Sequence, residues 1–396
     1  MPTGLIAGGG IAGMAAGLAL ARAGWQVELV ETAPALGEVG AGLQIGANAA
    51  KALDWLGVLP EARAQASHPD RAEIRNGVTG GLLLSLPLGP RAERRWGAPY
   101  LQLHRADLLA ILTRAAEAAG VTLRLGTRAQ RVVTHGTHAA LHLEDGAIHH
   151  GDLVLGADGI RSTLRGGLNR DEEARFTGQI AWRALIPAER LSTPPESAAT
   201  VWAGPGGHLV TYPLRSGSLI NLVAVREQSD WAEEGWSLPG DPDALRIAFH
   251  GWHARPREIL EAVDHCFLWG LFDRPAQVRW SSGRLALIGD AAHPMLPFLA
   301  QGAGQALEDA VVLARHLARA GEAAIPEALS AWEEERWPRV ARVIRRAEAN
   351  GRLFHARSAW RHWPLAMASR LAPDLAAGLA AGRLDWLYGY DPRPRP

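Results

Sequence analysis

The chain has 396 residues, with 41 Lys+Arg against 41 Asp+Glu, and one cysteine. At 47% apolar content and this length it fills more than one hydrophobic core, so two closely packed domains are expected and intrinsic disorder is excluded. Zero formal charge, with the arginines spread along the chain and Lys51 the only lysine, leaves no basic face for nucleic acid or an anionic membrane.

The first 23 residues are as apolar as a leader peptide, but they lack a positively charged start and contain Gly8-Gly9-Gly10, so they are read as folded protein. Thr3–Ala7 reads as a buried strand, Ile11–Ala23 as a helix with small residues on its packed face, and Gln26–Val30 as a second strand. Between strand and helix, Gly8-Gly9-Gly10-Ile11-Ala12-Gly13 matches G-x-G-x-x-G. Gly8 permits the tight turn, Gly10 lets backbone amides approach a pyrophosphate beside Ala12, and Gly13 lets helix and strand close up. The helix N-terminus adds unpaired N–H groups and partial positive charge. Glu31, at the end of the second strand, is placed to accept hydrogen bonds from an adenosine ribose and would repel a 2′-phosphate, which leaves FAD and NAD.

Further along, the apolar runs Asp152–Leu155 and Arg284–Ile288 lead into Gly156-Ala157-Asp158-Gly159-Ile160-Arg161-Ser162-Thr163-Leu164-Arg165 and Gly289-Asp290-Ala291-Ala292-His293-Pro294. Each puts a carboxylate just past a strand, at the sheet edge where ligands bind. With these three motifs the chain resembles the FAD-dependent aromatic hydroxylases, the group A flavoprotein monooxygenases, in their salicylate hydroxylase and 3-hydroxybenzoate 6-hydroxylase branch. The resemblance runs over nearly the whole chain, taking in Leu103–Leu109, Ala181-Trp182-Arg183, His208–Pro213, Met295–Gly302 and Asp385–Pro392.

The resemblance implies FAD as resident cofactor, NADH or NADPH as transient electron donor, and O2 as co-substrate. A flavin hydroperoxide would then deliver one oxygen atom to a small phenolic or hydroxybenzoate-like ring. It implies that Asp290 bonds the ribityl chain, that Arg105 reaches the cofactor, and that Asp158 and Gly159 serve both FAD and nicotinamide docking. The family often has Arg or Lys after the ribose-binding acid, where this chain has Thr32. Leu307, Val311, Ala314 and Ala318 recur at helical spacing, so a helix is expected from about Gln305, with Gly302-Ala303-Gly304 just before it and its amides facing the flavin. A second dinucleotide fingerprint is missing, consistent with a nicotinamide that binds transiently.

A phenol pKa near 10 makes deprotonation at pH 7 cost ~4 kcal/mol, so a base near the substrate hydroxyl is worth having. His208 is the candidate base, and the resemblance adds Tyr212, Gln301 and Pro297 on the substrate side; some relatives carry a second histidine where this chain has Thr211. Arg183 is the candidate clamp for a substrate carboxylate. His293 is read as structural, and the 15 tryptophans as core residues. Cys266 has no partner for a disulfide and no ligand spacing for zinc or iron–sulfur chemistry, so no metal is expected and a reducing cytoplasm is the expected compartment.

The expected architecture is α/β: a Rossmann-like FAD-binding domain from 1–70, 100–175 and 277–325, an inserted β-sheet substrate domain from 71–99 and 176–276, and a helical C-terminal region at 326–396. Within it Glu333–Arg346 is expected to be strongly charged on one face, and the tail Pro392–Pro396 to fray. No integral membrane segment is expected, and the chain is read as a monomer or homodimer. Two rival functions keep the flavin: a hydroxylase or epoxidase of a quinone precursor, isoprenoid or polycyclic natural product, and a redox sensor without turnover.

Overall fold

The computed structural model describes residues 1–37, 41–168, 174–193, 196–231, 238–274, 279–357 and 363–394. The boundary expected at 277 and the last two residues of the tail lie outside them. The nearly continuous apolar runs form a sheet buried on both faces, as parallel strands require. Its order is Ser281–Ser282, Leu285–Leu287, Leu153–Gly156, Thr3–Ala7, Gln26–Val30 and Thr122–Arg124, parallel except for the short Ser281–Ser282 edge. In register, Ala7 lies opposite both Val30 and Gly156, and Gly156 opposite Leu287. The segments that begin at Gly8, Glu31, Ala157 and Ile288 therefore leave the sheet along one carboxyl edge.

The helix Ile11–Arg22 crosses between the first two strands and packs its small residues on the sheet. Gly13 is required there: a Cβ on it would lie 1.9 Å from the carbonyl oxygen of Gly8. The observed strand Leu153–Gly156 is offset slightly from the expected run, and Leu285–Leu287 is shorter than its expected run at both ends. The second helix against this sheet runs Gly302–Leu317, three residues earlier than its apolar repeat announces. Gly302, Ala303 and Gly304 form its first turn, and a turn with no large side chain adds nothing to a hydrophobic period.

An eight-stranded sheet faces the carboxyl edge, in the order Leu238–Gly240, Cys266–Asp273, Arg175–Pro187, Leu219–Glu227, Gly207–Leu214, Ala198–Gly204, Arg71–Asn76 and Leu82–Pro87. Side chains alternate across it. Ile180, Trp182, Leu209 and Trp202 turn to a core completed by Phe249 and Trp252, whereas Arg183, His208, Val210 and Tyr212 turn to the parallel sheet. The C-terminal residues are helical, at Ile325–Phe354, Trp363–Leu371, Pro373–Gly382 and Asp385–Tyr388. Lys51 ties this end down, its buried ammonium donating to the carbonyls of Tyr388, Gly389 and Tyr390 at 3.1–3.3 Å. A compact ammonium with three rotatable donors suits three converging carbonyls better than a planar guanidinium fork does.

Candidate active site

The strand register gathers the motifs into one cavity of about 560 Å³ between the two sheets. Gly8, Gly10, Ala12, Glu31, Arg105, Asp158, Gly159 and Asp290 line it on one side. His208, Tyr212, Pro297, Gln301, Gly302 and Ala303 line it on the other. Gly13 and Gly304, also expected to bind cofactor, do not reach it. Gly13 acts by bringing helix and strand together, and a Cβ on Gly304 would lie 3.2 Å from Gln301 Oε1, behind the lining.

The residues present fit an extended dinucleotide. A Cβ on Gly10 would meet nothing within 4 Å, so that space belongs to the cavity, and Gly10 starts its helix with no side-chain cap on the first amides. Glu31 accepts from the amides of Gly9 at 2.6 Å and Ala33 at 2.7 Å, which fixes its carboxylate at the end of the strand and leaves each oxygen a second lone pair. Asp158 Oδ2 caps the turn at Thr163, 2.8 Å from its amide, while Oδ1 is buried with no protein partner. That orphaned acceptor is the kind of group a ligand satisfies.

The turn that carries Asp290 is held by Arg165, which the second motif contained, and by Asp309, which none of the motifs did. Arg165, almost fully buried, donates to the carbonyls of Asp290 at 3.0 Å and Ala291 at 2.8 Å. Asp309 accepts from Gly289 N at 3.1 Å and contacts His293 Nε2 at 2.6 Å, giving His293 the structural role expected of it. Gly289 has φ +58°, a left-handed conformation that lets the turn present Asp290.

A match to the FAD binding domain family over residues 2–347 agrees with this geometry. The chain belongs to that family. It is 35% identical to a 3-hydroxybenzoate 6-hydroxylase of Polaromonas naphthalenivorans (strain CJ2), over 98% of this chain and 96% of the relative. A 3-amino-4-hydroxybenzoate 2-monooxygenase of Streptomyces platensis is 37% identical over 98% of this chain and 96% of its own length. Among solved structures, a salicylate hydroxylase substrate complex superposes with a TM-score of 0.81 at 26% identity, covering 99% of this chain and 96% of the other. The protein is accordingly an FAD-dependent monooxygenase with NAD(P)H as electron donor.

The two sides of the cavity differ in what they present. The helix Gly302–Leu317 opens on the cavity with no side-chain cap and no acid in its first turn, so its partial positive charge faces bound ligand. On the reaction side, His208 is buried, its Nδ1 2.7 Å from His355 Nε2 and its ring edge-on to Phe298 at 5.1 Å. Burial, with His355 beside it, holds its pKa well below the ordinary histidine value, so the ring is neutral at pH 7. Thr211 points away from the cavity and accepts from Trp202 Nε1 at 3.2 Å. Its hydroxyl is therefore not among the groups that line the cavity.

The other catalytic candidates are not bases. Burial raises the Tyr212 pKa above its ordinary value despite the opposing charge of Arg183, so the phenol stays protonated as a donor. Gln301 Oε1 accepts from Asn48 at 2.9 Å and Gln305 at 3.1 Å, which leaves its amide as a donor, and a carboxamide does not take up a proton at neutral pH. Pro297 starts the turn Pro297–Leu299 that seats Phe298 on the His208 ring. Arg183, the candidate clamp, lines the cavity with its guanidinium over the Trp269 ring at 4.4 Å.

Sequence reasoning missed the buried cluster behind Gln301. Asn48 donates to Glu308 at 2.6 Å, and Arg336 binds Glu308 at 2.5 Å, Asp309 at 2.8 Å and the Gln305 side chain at 2.8 Å. Arg336 lies within Glu333–Arg346, the segment expected to be charged on one face, and is fully buried. The signal was faint: Glu308 and Asp309 fall within the apolar run Leu307–Leu313, where a charge on a packed face demands a partner.

Gly13→Val is expected to abolish FAD retention, since the added side chain drives the helix from Gly8; a purified variant that stays yellow would count against the assignment. Asp290→Ala is expected to weaken FAD binding about 10- to 100-fold by removing hydrogen bonds to the cofactor. Titration of the apoprotein with FAD measures both.

Proposed function

We propose that the protein hydroxylates a small phenol carrying a carboxylate, a hydroxybenzoate-like substrate, consuming NAD(P)H and O2. Gly10, Glu31, Asp158 and Asp290 would hold FAD in the cavity, and the cofactor would supply the redox chemistry, in which NAD(P)H gives two electrons and O2 is split between the hydroxylated ring and water. The observation that carries the reading is the grouping on one sheet face of a neutral histidine, a protonated tyrosine and an arginine, against apolar walls from Val210, Val223 and Trp269. His208 takes the proton of the substrate hydroxyl, Tyr212 and the Gln301 amide donate to substrate oxygens, and Arg183 pairs with the carboxylate. The relatives named for hydroxybenzoate substrates support the same class.

We assign the parallel sheet and its two packed helices to the cofactor and the eight-stranded sheet to the substrate. Among the described residues no helix is long and apolar enough to cross a membrane. The single cysteine, Cys266, is buried and free, which accords with a reducing cytoplasm.

A panel of phenols, hydroxybenzoates and hydroxylated N-heteroaromatics tests the reading, with NADH consumption and hydroxylated product measured together. At least one carboxylated phenol is expected to accelerate NADH oxidation and give product stoichiometrically. Acceleration only by bulky polycyclic or isoprenoid compounds would replace the proposal, and acceleration by none would end it.

A further inference from the structure

The base in this site is a poor resting place for a proton. His208 is almost entirely buried, so an imidazolium formed there lacks the solvation that would hold it. The ring is not a dead end, however. Its Nδ1 faces His355 Nε2 at 2.7 Å, and His355 Nδ1 lies 3.4 Å from Glu227 Oε1. That second contact has ion-pair distance without hydrogen-bond alignment, and Nδ1 has no bonded acceptor. His208 lines the inner cavity, whereas His355 and Glu227 line a second cavity of about 800 Å³ rimmed by the exposed Arg352 and Arg357. The two imidazoles thus span the wall between the reaction site and an outer cleft.

We infer that His355 and Glu227 form the exit path for the substrate's proton, with His355 acting as a positioning and relay residue for His208. The inference rests on reading His208 as the base for a phenolic substrate. The substrate O–H bond breaks as a proton joins His208 Nε2. The Nδ1 proton of His208 passes to His355 Nε2, and the Nδ1 proton of His355 passes to Glu227 and on to water. No ring carries two protons for longer than the transfer, and the phenolate remains in the cavity.

The surroundings favour this direction. His355 caps the C-terminus of the 30-residue helix Ile325–Phe354, whose dipole favours a cation there. Burial lowers the pKa of both rings, but Glu227 opposes the effect at His355 only, so proton affinity rises outward. Arg226 and Arg357 oppose a cation at His355, Glu227 and Glu348 favour one, and Arg175 and Asp273 pair with each other across the outer cleft at 3.0 Å. Phe298 and Phe354 pack against the His208 ring, keeping water from the inner imidazole so that the proton leaves through the ring beside it.

The test uses FAD-loaded protein and the panel phenol that the wild type hydroxylates fastest. Proton release on ligand binding is followed by stopped flow with an indicator dye, alongside phenolate absorbance and steady-state turnover. In His355→Ala, deprotonation and kcat are expected to fall ~10-fold or more with KM changed less than about twofold, and imidazole is expected to restore both. Glu227→Gln, a change at a partly exposed residue, is expected to slow proton release without altering FAD retention. Wild-type rates in either variant, or a loss in His355→Ala that imidazole leaves untouched, would overturn the relay while the proposed function stands. Failure of the wild type to hydroxylate any phenol would overturn both.

Discussion

Arg336→Met is expected to destabilise the protein by about 3–5 kcal/mol, because it leaves carboxylates buried without their charge partner. The guanidinium bridges Glu308 and Asp309, and all three side chains are fully buried. Arg339 still reaches Glu308 at 2.6 Å and His293 still reaches Asp309, which places the effect at the lower end. The same residues hold both cofactor loops, since Glu308 and Gln305 position Gln301 and Asp309 holds the Gly289 amide. A lower thermal midpoint and faster FAD loss are therefore expected together. Adding Glu308→Gln and Asp309→Asn to the methionine variant should recover much of the midpoint, and a midpoint equal to wild type in the single variant would refute the account.

The pH dependence gives a second readout. Burial pushes both carboxyls up, but Arg339 and Arg336 at Glu308, and His293 and Arg336 at Asp309, outweigh it and hold their pKa values below the ordinary carboxylate range. A depressed folded-state pKa contributes stability that is present above the unfolded value and is lost as pH falls through the folded one. Without Arg336 the depression weakens, and protonation at mildly acidic pH relieves the buried charge. The stability gap between wild type and Arg336→Met should be widest at neutral pH and narrow as pH falls through the carboxylate range.

What the sequence revealed and what it hid follow from the same physics. The turn Gly8–Gly13, Glu31 and Asp290 were legible because each is a local pattern, a strand end followed by glycine or acid, and the parallel register only had to bring those ends to one edge. The first turn of the helix at Gly302 was hidden because hydrophobic periodicity reads side chains that glycine lacks. Arg336, Asn48 and His355 were hidden for a different reason: each acts through a partner on another element, more than 100 residues away for Asn48 and His355, and one sequence carries no record of such pairs. The arginine-rich composition deepened this, since a buried Arg336 or Arg165 looks like any surface arginine. His208 and Tyr212 stood in between, because strand alternation put both on one face but left open which face held the ligand.

His208→Ala is expected to lower hydroxylation about 10²- to 10⁴-fold at pH 7, the range for loss of a positioned base, while FAD binding is retained. Gly8 and Glu31 follow the strands Thr3–Ala7 and Gln26–Val30, and Asp290 lies in the turn Gly289–Ala291, so removing the imidazole leaves their geometry in place. NADH should still reduce the bound flavin. The pH profile should change in a defined direction: without the base, phenolate forms only by ionisation from water, so residual turnover should rise roughly tenfold per pH unit from pH 7 toward the phenol pKa near 10. Substrates whose ring substituents lower that pKa should lose proportionally less, since the histidine matters least where the hydroxyl ionises unaided. Turnover and a pH profile matching wild type would remove His208 from the chemistry. A defect equal for acidic and ordinary phenols would assign it to substrate positioning instead, because a group that only orients the ring is indifferent to the acidity of its hydroxyl.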